Sequence, residues 1–332
     1  MVPWVECPHI EIDLDLPPDR RYAAVPPAEL ARGARLLRAI MAEIPGKARY
    51  LADGARLRTR GRFHDEARAL AQQVGTDWRS VMLANLTYDL TLAVFGCSTV
   101  ALATPAGPVL ARNMDFWPED TLAQTSALVR LRRAGELQLG NAGWPGTIGV
   151  VTGMSGRGIA VALNAVSGPE GVSWTGYPVL LFIRKVLDDA RDFAEAVHLL
   201  SRQKLAAPCL LTVVGTANDE RVVIERSPTR FAERRPDGDA PLFVTNDYRK
   251  LFAPVTRDDS EIYRTTCDRF DRLCTLLAGF RGDREVADEE LLYLLTDSEV
   301  IQGITAQHII MRPAAGAMRM FVPRRFVPDG FF

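Results

Sequence analysis

The strongest constraint on the fold of this 332-residue chain is a change of pattern at about residue 96. Before it, apolar residues recur every three or four positions, which predicts helices over 27–44, over 63–73 and from about 77 onward. Alternation over 10–16 predicts one edge strand. Short β-rich stretches follow from residue 97. We therefore expect a mostly helical segment, 1–96, and a second unit, 97–332.

In the second unit, groups of predicted strands alternate with pairs of predicted helices. This order predicts an α+β fold in which two sheets pack together and helices cover them. The predicted strands are 97–104, 109–116, 148–152, 158–163, 210–216, 222–225, 242–245, 308–312 and 318–322. The predicted helices are 177–189, 192–203, 260–278 and 288–296.

Composition excludes several classes of function. Lys and Arg number 40 against 41 Asp and Glu, so no broad basic field favours nucleic acid as a partner. No apolar stretch reaches the roughly 20 residues of a transmembrane helix. The first residues lack a basic region followed by an apolar run, which favours a cytoplasmic protein without a secretory signal. The five cysteines show no metal-binding spacing and are expected to be free thiols.

The hairpin 97–104/109–116 brings chemically useful residues together. A turn centred near Ala106 pairs residues whose numbers sum to about 212, which predicts Asp115 opposite Cys97 with Arg112 nearby. An arginine beside a cysteine stabilises the thiolate and lowers the thiol pKa from about 8.5. The carboxylate of Asp115 can orient that arginine or the attacking group. The alternative is that Cys97 is a small buried apolar residue and that Arg112 and Asp115 form a surface ion pair.

A cysteine nucleophile needs a base, and the sequence leaves two sources open. None of the four histidines is close to Cys97 in sequence, although a Cys–His dyad formed in space remains possible. Cleavage of the Gly96–Cys97 bond would instead free an α-amine that titrates near 8 beside the thiol. The histidines are His9, His64, His198 and His308.

Asn164 and Asn246 each end a predicted strand. An amide in such a place can donate a hydrogen bond to a developing oxyanion. It can equally begin a turn.

Several separated segments resemble one enzyme family. They are 12–21, 85–90, 96–100 (GCSTV), 111–116 (ARNMDF), 162–164, 177–226 and 244–246. Together they resemble the N-terminal-nucleophile cysteine amidases related to choloylglycine hydrolase, and are most similar to acid ceramidase and N-acylethanolamine acid amidase. The resemblance extends over most of the chain and implies a four-layer αββα fold.

The same resemblance implies roles for individual residues. Cys97 would be the nucleophile, flanked by Arg112 and Asp115, and Asn164 and Asn246 would assist the oxyanion. The family has a further arginine on the helix after the second asparagine. The similarity of 265–272 to bile-salt hydrolases indicates Arg269, whereas the acidic pair at 258–259 indicates Arg264, as in acid ceramidase.

The resemblance predicts hydrolysis of a linear N-acyl amide by a proenzyme cleaved at Gly96–Cys97, whose two fragments stay associated. Phe116, Trp117 and Trp144 are candidates for lining an acyl pocket, or for ordinary core packing. No metal or organic cofactor is expected. Two alternatives stay open: an acyltransferase that uses the same thioester, and an uncut relative that only binds a lipid or partner. The acyl chain, the amine and the oligomeric state are not determined.

Overall fold

Two β-sheets form the centre of the computed structural model, which describes residues 3–90, 95–253, 264–328 and 330–332. The six-stranded sheet has the order β1-β14-β13-β4-β3-β12, and the eight-stranded sheet has the order β11-β10-β9-β8-β7-β6-β5-β2. The strands are β1 (Trp4–Glu6), β2 (His9–Asp13), β3 (Phe95–Leu102), β4 (Val109–Phe116), β5 (Ala127–Arg133), β6 (Glu136–Gly143), β7 (Thr152–Ser155), β8 (Ala160–Ala165), β9 (Cys209–Val214), β10 (Arg221–Arg226), β11 (Phe231–Arg234), β12 (Leu242–Val244), β13 (Thr305–Arg312) and β14 (Ala317–Pro323).

Helices cover the outer face of each sheet. They are α1 (Pro27–Glu43), α2 (Arg49–Arg58), α3 (His64–Val74), α4 (Trp78–Ala84), α5 (Thr87–Leu90), α6 (Glu119–Thr125), α7 (Val179–Asp189), α8 (Phe193–Arg202), α9 (Thr266–Leu276) and α10 (Asp288–Leu295). Helices α7 and α8 pack on the eight-stranded sheet, and α9 and α10 pack on the six-stranded sheet. Since β3 contacts β8 and β9 across the interior, the layers follow the order αββα.

The N-terminal segment joins both sheets. Strand β1 pairs with β14, whereas β2 pairs in parallel with β5 and forms an edge of the eight-stranded sheet, as the alternation over 10–16 predicts. The remaining elements of the segment are mainly the helices α1–α5, which confirms its helical character. The helix starting near 77 is capped by Asp77, whose carboxylate accepts hydrogen bonds from the amides of Arg79 and Ser80.

Differences from the predicted elements have local causes. The first strand of the hairpin predicted at 148–152 starts only at Thr152 and runs to Ser155, because the turn lies at Gly156–Gly158. The predicted helix 260–278 is present as α9, and residues 260–263 lie outside the described residues. Elements that the sequence prediction missed are β1, α2, α6, β5, β6 and β11. In the described ranges, no helix is both long and apolar enough to span a bilayer.

Candidate active site

Six buried side chains converge where the two sheets meet at the start of β3. Each is at most 1% exposed. Strands β3 and β4 supply three of them, the end of β8 and the second residue after β12 supply two amides, and α9 supplies an arginine. They are Cys97, Arg112, Asp115, Asn164, Asn246 and Arg269.

The register of the β3–β4 hairpin differs by one residue from the prediction. Cys97 is paired with Met114, and Asp115 with Gly96, so the partner numbers sum to 211. A shift of one residue turns a side chain to the other face of the sheet. Cys97 and Arg112 therefore face the interior between the sheets, whereas Asp115 lies on the face that α9 covers.

The sequence predicted that Asp115 could orient Arg112. The structure contradicts this, because the two side chains lie on opposite faces of the sheet. Asp115 Oδ1 accepts a hydrogen bond from the Thr305 hydroxyl at 2.6 Å, and within the described residues its Oδ2 has no hydrogen-bond partner. Burial raises the pKa of Asp115, and the nearby guanidinium of Arg269 opposes that rise. The charge of Arg269 therefore lowers the pKa of Asp115 more than the charge of Arg112 does.

The Cys97 sulfur lies between an arginine and a carbonyl. Arg112 Nη2 donates to Cys97 Sγ at 2.6 Å, and the thiol donates to the carbonyl oxygen of Leu163 at 3.6 Å. Burial raises the pKa of Cys97, and the positive charge of Arg112 opposes this without overcoming it. The sulfur therefore belongs to a buried thiol with a guanidinium in place to stabilise its thiolate.

The main chain of Cys97 is held on both sides. Its amide donates to Asn246 Oδ1 at 3.0 Å, and its carbonyl oxygen accepts from Arg269 Nη1 at 2.7 Å. Arg269 Nη2 also donates to Asn246 Oδ1 at 2.8 Å. One amide oxygen therefore receives two donors, and an amine freed at Cys97 would remain next to it.

Each of the two asparagines donates hydrogen bonds to main-chain carbonyls next to the other, but the number of acceptors differs. Asn164 Nδ2 donates to the carbonyls of Val244 and Thr245, at 3.1 and 3.0 Å. Asn246 Nδ2 donates to the carbonyl of Ala165 at 2.9 Å. Both protons of Asn164 are engaged, whereas among the described residues only one N–H of Asn246 has an acceptor, so the other can serve another acceptor.

The structure separates the two candidate arginines that follow Asn246. Arg269 is fully buried on α9 and also donates to the Ser98 hydroxyl at 3.0 Å. Arg264 lies at the exposed start of the same described segment. The acidic pair 258–259, which favoured Arg264, lies outside the described residues.

None of the hydrogen bonds of the Cys97 sulfur within the described part involves a histidine. His308, which is buried, bonds Asn113 Oδ1 through Nδ1 at 2.7 Å, and burial lowers its pKa to about 3. The same part of the chain shows no group of three or more His, Cys, Asp or Glu residues that could hold a metal ion. The geometry gives a Cys–His dyad no support.

The three candidate pocket residues have different positions. Phe116, which follows Asp115 on β4, and Trp144 line a narrow apolar crevice, and Trp144 donates its indole N–H to the carbonyl of Leu122 at 3.0 Å. Leu36 and Ile40 of α1 form another wall of this crevice. Trp117 is 49% exposed and is not part of the crevice lining.

Sequence reasoning missed Thr152, whose hydroxyl accepts a hydrogen bond from Arg112 Nη1 at 2.7 Å. It likewise missed the bond from the Thr99 hydroxyl to Asn164 Oδ1, at 2.7 Å. Both bonds cross from one sheet to the other. No motif or spacing marks such residues, since their partners are 40 and 65 positions away.

These observations define a class of protein. Two facing sheets, helices on both outer faces and a cysteine near the start of an interior strand constitute the N-terminal-nucleophile hydrolase fold. The chain belongs to the acyl-coenzyme A:6-aminopenicillanic acid acyl-transferase family, which matches residues 102–304 and thus more than half of its length. The match begins after Cys97 and does not itself assign the nucleophile.

Known relatives agree with the sequence resemblance. An N-acylethanolamine-hydrolyzing acid amidase of Caenorhabditis elegans is 27% identical over an alignment of 326 residues, covering 92% of this chain and 89% of that protein. Acid ceramidase of Rattus norvegicus is 25% identical over 266 residues, covering 68% of this chain and 64% of that enzyme, less than two thirds of its length. The predicted membership of this superfamily is confirmed.

A solved structure supports the fold. The structure of a Caenorhabditis elegans N-acylethanolamine-hydrolyzing acid amidase ortholog superposes with a TM-score of 0.54 and 23% identity. The superposition covers 66% of this chain and 93% of that one. The predicted four-layer arrangement is confirmed.

Proposed function

We propose that this protein hydrolyses the linear amide bond of N-acyl amides, with Cys97 as the nucleophile. The observation that carries the proposal is the convergence of three separate groups on this residue. Arg112 contacts its sulfur, Asn246 its amide nitrogen and Arg269 its carbonyl oxygen. A cysteine buried only for packing requires none of these contacts.

The first step of the proposal is self-cleavage. The Cys97 sulfur attacks the carbonyl carbon of Gly96, the thiol proton passes to the departing amide nitrogen, and a thioester forms. Water then hydrolyses the thioester, which leaves the Gly96 carboxylate and a free α-amine on Cys97. This amine would remain hydrogen-bonded to Asn246 Oδ1, as the amide is in the uncut chain.

Turnover follows with the α-amine as general base. The amine takes the thiol proton, and the thiolate attacks the substrate carbonyl. The tetrahedral intermediate collapses to an acyl-thioester as the substrate's amine leaves with that proton. Water, deprotonated by the same α-amine, then attacks the thioester and releases the acid and the thiol.

Each polar neighbour has a stated part in this chemistry. Arg112 favours the thiolate by its charge. Asn246, which retains an unused N–H, donates to the oxyanion, and such donors contribute about 2.7–4 kcal/mol in known cases. Asn164 has no unused N–H and braces the strand end that carries Asn246. Arg269 holds Asn246 and the Cys97 carbonyl in place, and Asp115 lies beside it.

The apolar crevice has a free volume of only about 20 Å³, so an acyl chain would enter it only if its walls moved apart. Its walls are mostly apolar and include Phe116 and Trp144 from the second unit and Leu36 and Ile40 from the first. We propose that the fragments 1–96 and 97–332 stay associated after cleavage because β1 and β2 are hydrogen-bonded into both sheets. Exposed Trp117 could contact only the outer part of a substrate.

Acyl transfer is the second candidate, because the matching family is described as an acyltransferase family. The same thioester would then be captured by an amine instead of water. An added amine acceptor separates the two reactions. A new N-acyl product at the expense of free acid would indicate the transferase.

The test combines intact-mass analysis with a substrate panel. The protein should separate into fragments 1–96 and 97–332 and release acid from one or more of N-acylethanolamines, ceramides, bile-salt conjugates and acylated amino acids. Cys97→Ala should stay uncut and lose at least about 10⁵-fold in turnover. Cys209→Ala is the matched control, since Cys209 is equally buried but lies on β9.

Two outcomes would refute the proposal. Equal turnover by wild type and Cys97→Ala would remove the thiol from the mechanism. A single full-length species that turns over none of the panel at acidic or neutral pH would favour a binding protein.

A further inference from the structure

We propose that Thr152 is the positioning residue that aims Arg112 at the Cys97 sulfur. The inference rests on the proposed role of Cys97 as nucleophile. It assigns to a hydroxyl on the opposite sheet the orienting role that the sequence suggested for Asp115.

The guanidinium of Arg112 makes a short contact from each of its terminal nitrogens. Its two terminal nitrogens are each committed to one side chain, Nη1 to the Thr152 hydroxyl at 2.7 Å and Nη2 to Cys97 Sγ at 2.6 Å. The guanidinium is a rigid planar fork, so fixing the direction of one terminal nitrogen fixes the other. Its third contact is a longer one, from Nε to the carbonyl of Asn113 at 3.3 Å.

The chemical nature of the acceptor matters. A carboxylate at this position would pair with the guanidinium and weaken its effect on the sulfur. A hydroxyl accepts the hydrogen bond without a charge, so the positive charge of Arg112 remains directed at Cys97. Asp115, the nearby carboxylate on the same strand, is turned to the other face and bonds Thr305 instead.

Thr152 is itself held firmly. It is fully buried, begins β7 and is paired with Ala162 of β8. The two residues at the end of the preceding loop are tied as well: the amide of Val150 donates to Leu180 and the carbonyl of Val151 accepts from Leu163, both at 3.0 Å.

The N-terminal segment contributes to this support. Asn85, just after α4, accepts hydrogen bonds from the amides of Ile148 and Gly149 through one oxygen, at 2.9 and 2.6 Å. Its own amide donates to the carbonyl of Val81 at 2.6 Å. The position of Thr152 therefore depends on contacts made by both proposed fragments.

The experiment compares Thr152→Val, which keeps the shape and removes the hydroxyl, with Thr152→Ser, which keeps the hydroxyl. The matched control is Thr212→Val. Thr212 is buried in the same cross-strand row of the eight-stranded sheet, and within the described residues its hydroxyl has no hydrogen-bond partner. Thermal melting checks that each variant is folded, and Thr152→Ala replaces the valine variant if that one melts early.

The decisive readout is the pKa of Cys97. It is measured as the thiolate absorbance near 240 nm against pH, after subtracting the same variant carrying Cys97→Ala. Thr152→Val should raise the midpoint by about one pH unit, which means about tenfold less thiolate at a given pH below it. Turnover should fall in kcat by about the same factor with KM within about twofold. Thr152→Ser and Thr212→Val should match wild type.

The proposal is overturned if folded Thr152→Val titrates like wild type, or if Thr152→Ser shifts the midpoint as much as valine does. The titration needs neither cleavage nor a known substrate. It therefore judges the role of Thr152 even if the panel finds no amidase activity, whereas the activity of Cys97→Ala judges the proposed function.

Discussion

Two pairs of buried arginines have different kinds of partner: one pair bonds main-chain carbonyls, and the other lies around Cys97. Arg112 and Arg269 lie at the site, and Arg221 and Arg226 lie on β10; all four are among the largest fully buried side chains. Arg221 donates to the main-chain carbonyls of Asn218, Ala240 and Gly238, at 2.7 to 2.9 Å. Arg226 likewise donates to carbonyls, of which that of Gln203 is at 2.6 Å.

The site arginines have different partners. Arg112 binds a sulfur and a hydroxyl, and Arg269 binds an amide oxygen, a hydroxyl and the Cys97 carbonyl. Both pairs are buried, but a guanidinium surrounded by carbonyls holds loops together. A guanidinium directed at a thiol favours the thiolate and so changes the protonation of the sulfur. The partner, rather than the burial, distinguishes the two uses.

The largest expected effect tests this distinction directly. Arg112→Lys should lower kcat/KM by about a thousandfold, because one ammonium cannot contact both Cys97 and Thr152 with the planar geometry of arginine. Arg221→Lys should destabilise the fold by roughly 2–4 kcal/mol through lost carbonyl contacts, with kcat/KM of the folded protein within about twofold. Steady-state kinetics and urea unfolding measure both. Comparable kinetic losses in the two folded variants would contradict the distinction.

The two asparagines, Asn164 and Asn246, allow the same comparison between two neutral side chains. Asn246→Ala should reduce kcat by about a hundredfold, since it removes the amide with an unused N–H. Asn164→Ala should act mainly on stability, by about 1–3 kcal/mol, because it removes the buried hydrogen bonds to the carbonyls of Val244 and Thr245. Single-turnover kinetics at a temperature where both variants are folded make the test. A larger kinetic loss in Asn164→Ala would reverse the assigned roles.

The smallest effect concerns a buried carboxylate away from the site. Asp89 accepts a hydrogen bond from the amide of Val179, and burial raises its pKa from 3.8 to about 7. The folded state therefore binds a proton more tightly than the unfolded state. Between pH 3.8 and about pH 7, the contribution of Asp89 to the free energy of unfolding falls as pH rises. The fall is up to about 1.4 kcal/mol per pH unit.

Asp89→Asn should remove this pH dependence and leave kcat unchanged. Urea unfolding at pH 5 and pH 8 measures it as the difference between variant and wild type, which should favour the variant more at pH 8. Parallel changes in the two proteins would show that Asp89 does not titrate in this range.

Local sequence patterns predicted most of the elements around the site. The helix predicted over 27–44 from the spacing of apolar residues is confirmed by α1. The two strands predicted on either side of the Pro-Gly turn are confirmed by β3 and β4. The register was wrong by one because the loop between Leu102 and Val109 has an even number of residues, so its centre falls between Pro105 and Ala106. Gly107, with φ of 102°, makes the turn possible.

One missed hairpin had a readable signal. Strands β5 and β6 are joined by Ala134 and Gly135, both with positive φ, a two-residue turn typical of tight hairpins. Alternation of Val129 and Leu131 with arginines precedes it, and the presence of Ala at the first turn position obscured it.

The amino-acid sequence by itself determined the helical first segment, the hairpin that carries Cys97 and Arg112, and the resemblance that identified the superfamily. Those properties depend on neighbours along the chain. Only the tertiary structure decided that Asp115 faces away from the sulfur, that the Thr152 hydroxyl accepts a hydrogen bond from Arg112, and that Asn164 and Asn246 differ in how many of their N–H groups have acceptors among the described residues. These depend on contacts between two sheets, and the spacing of residues within one strand carries no information about which residue of the other sheet lies opposite.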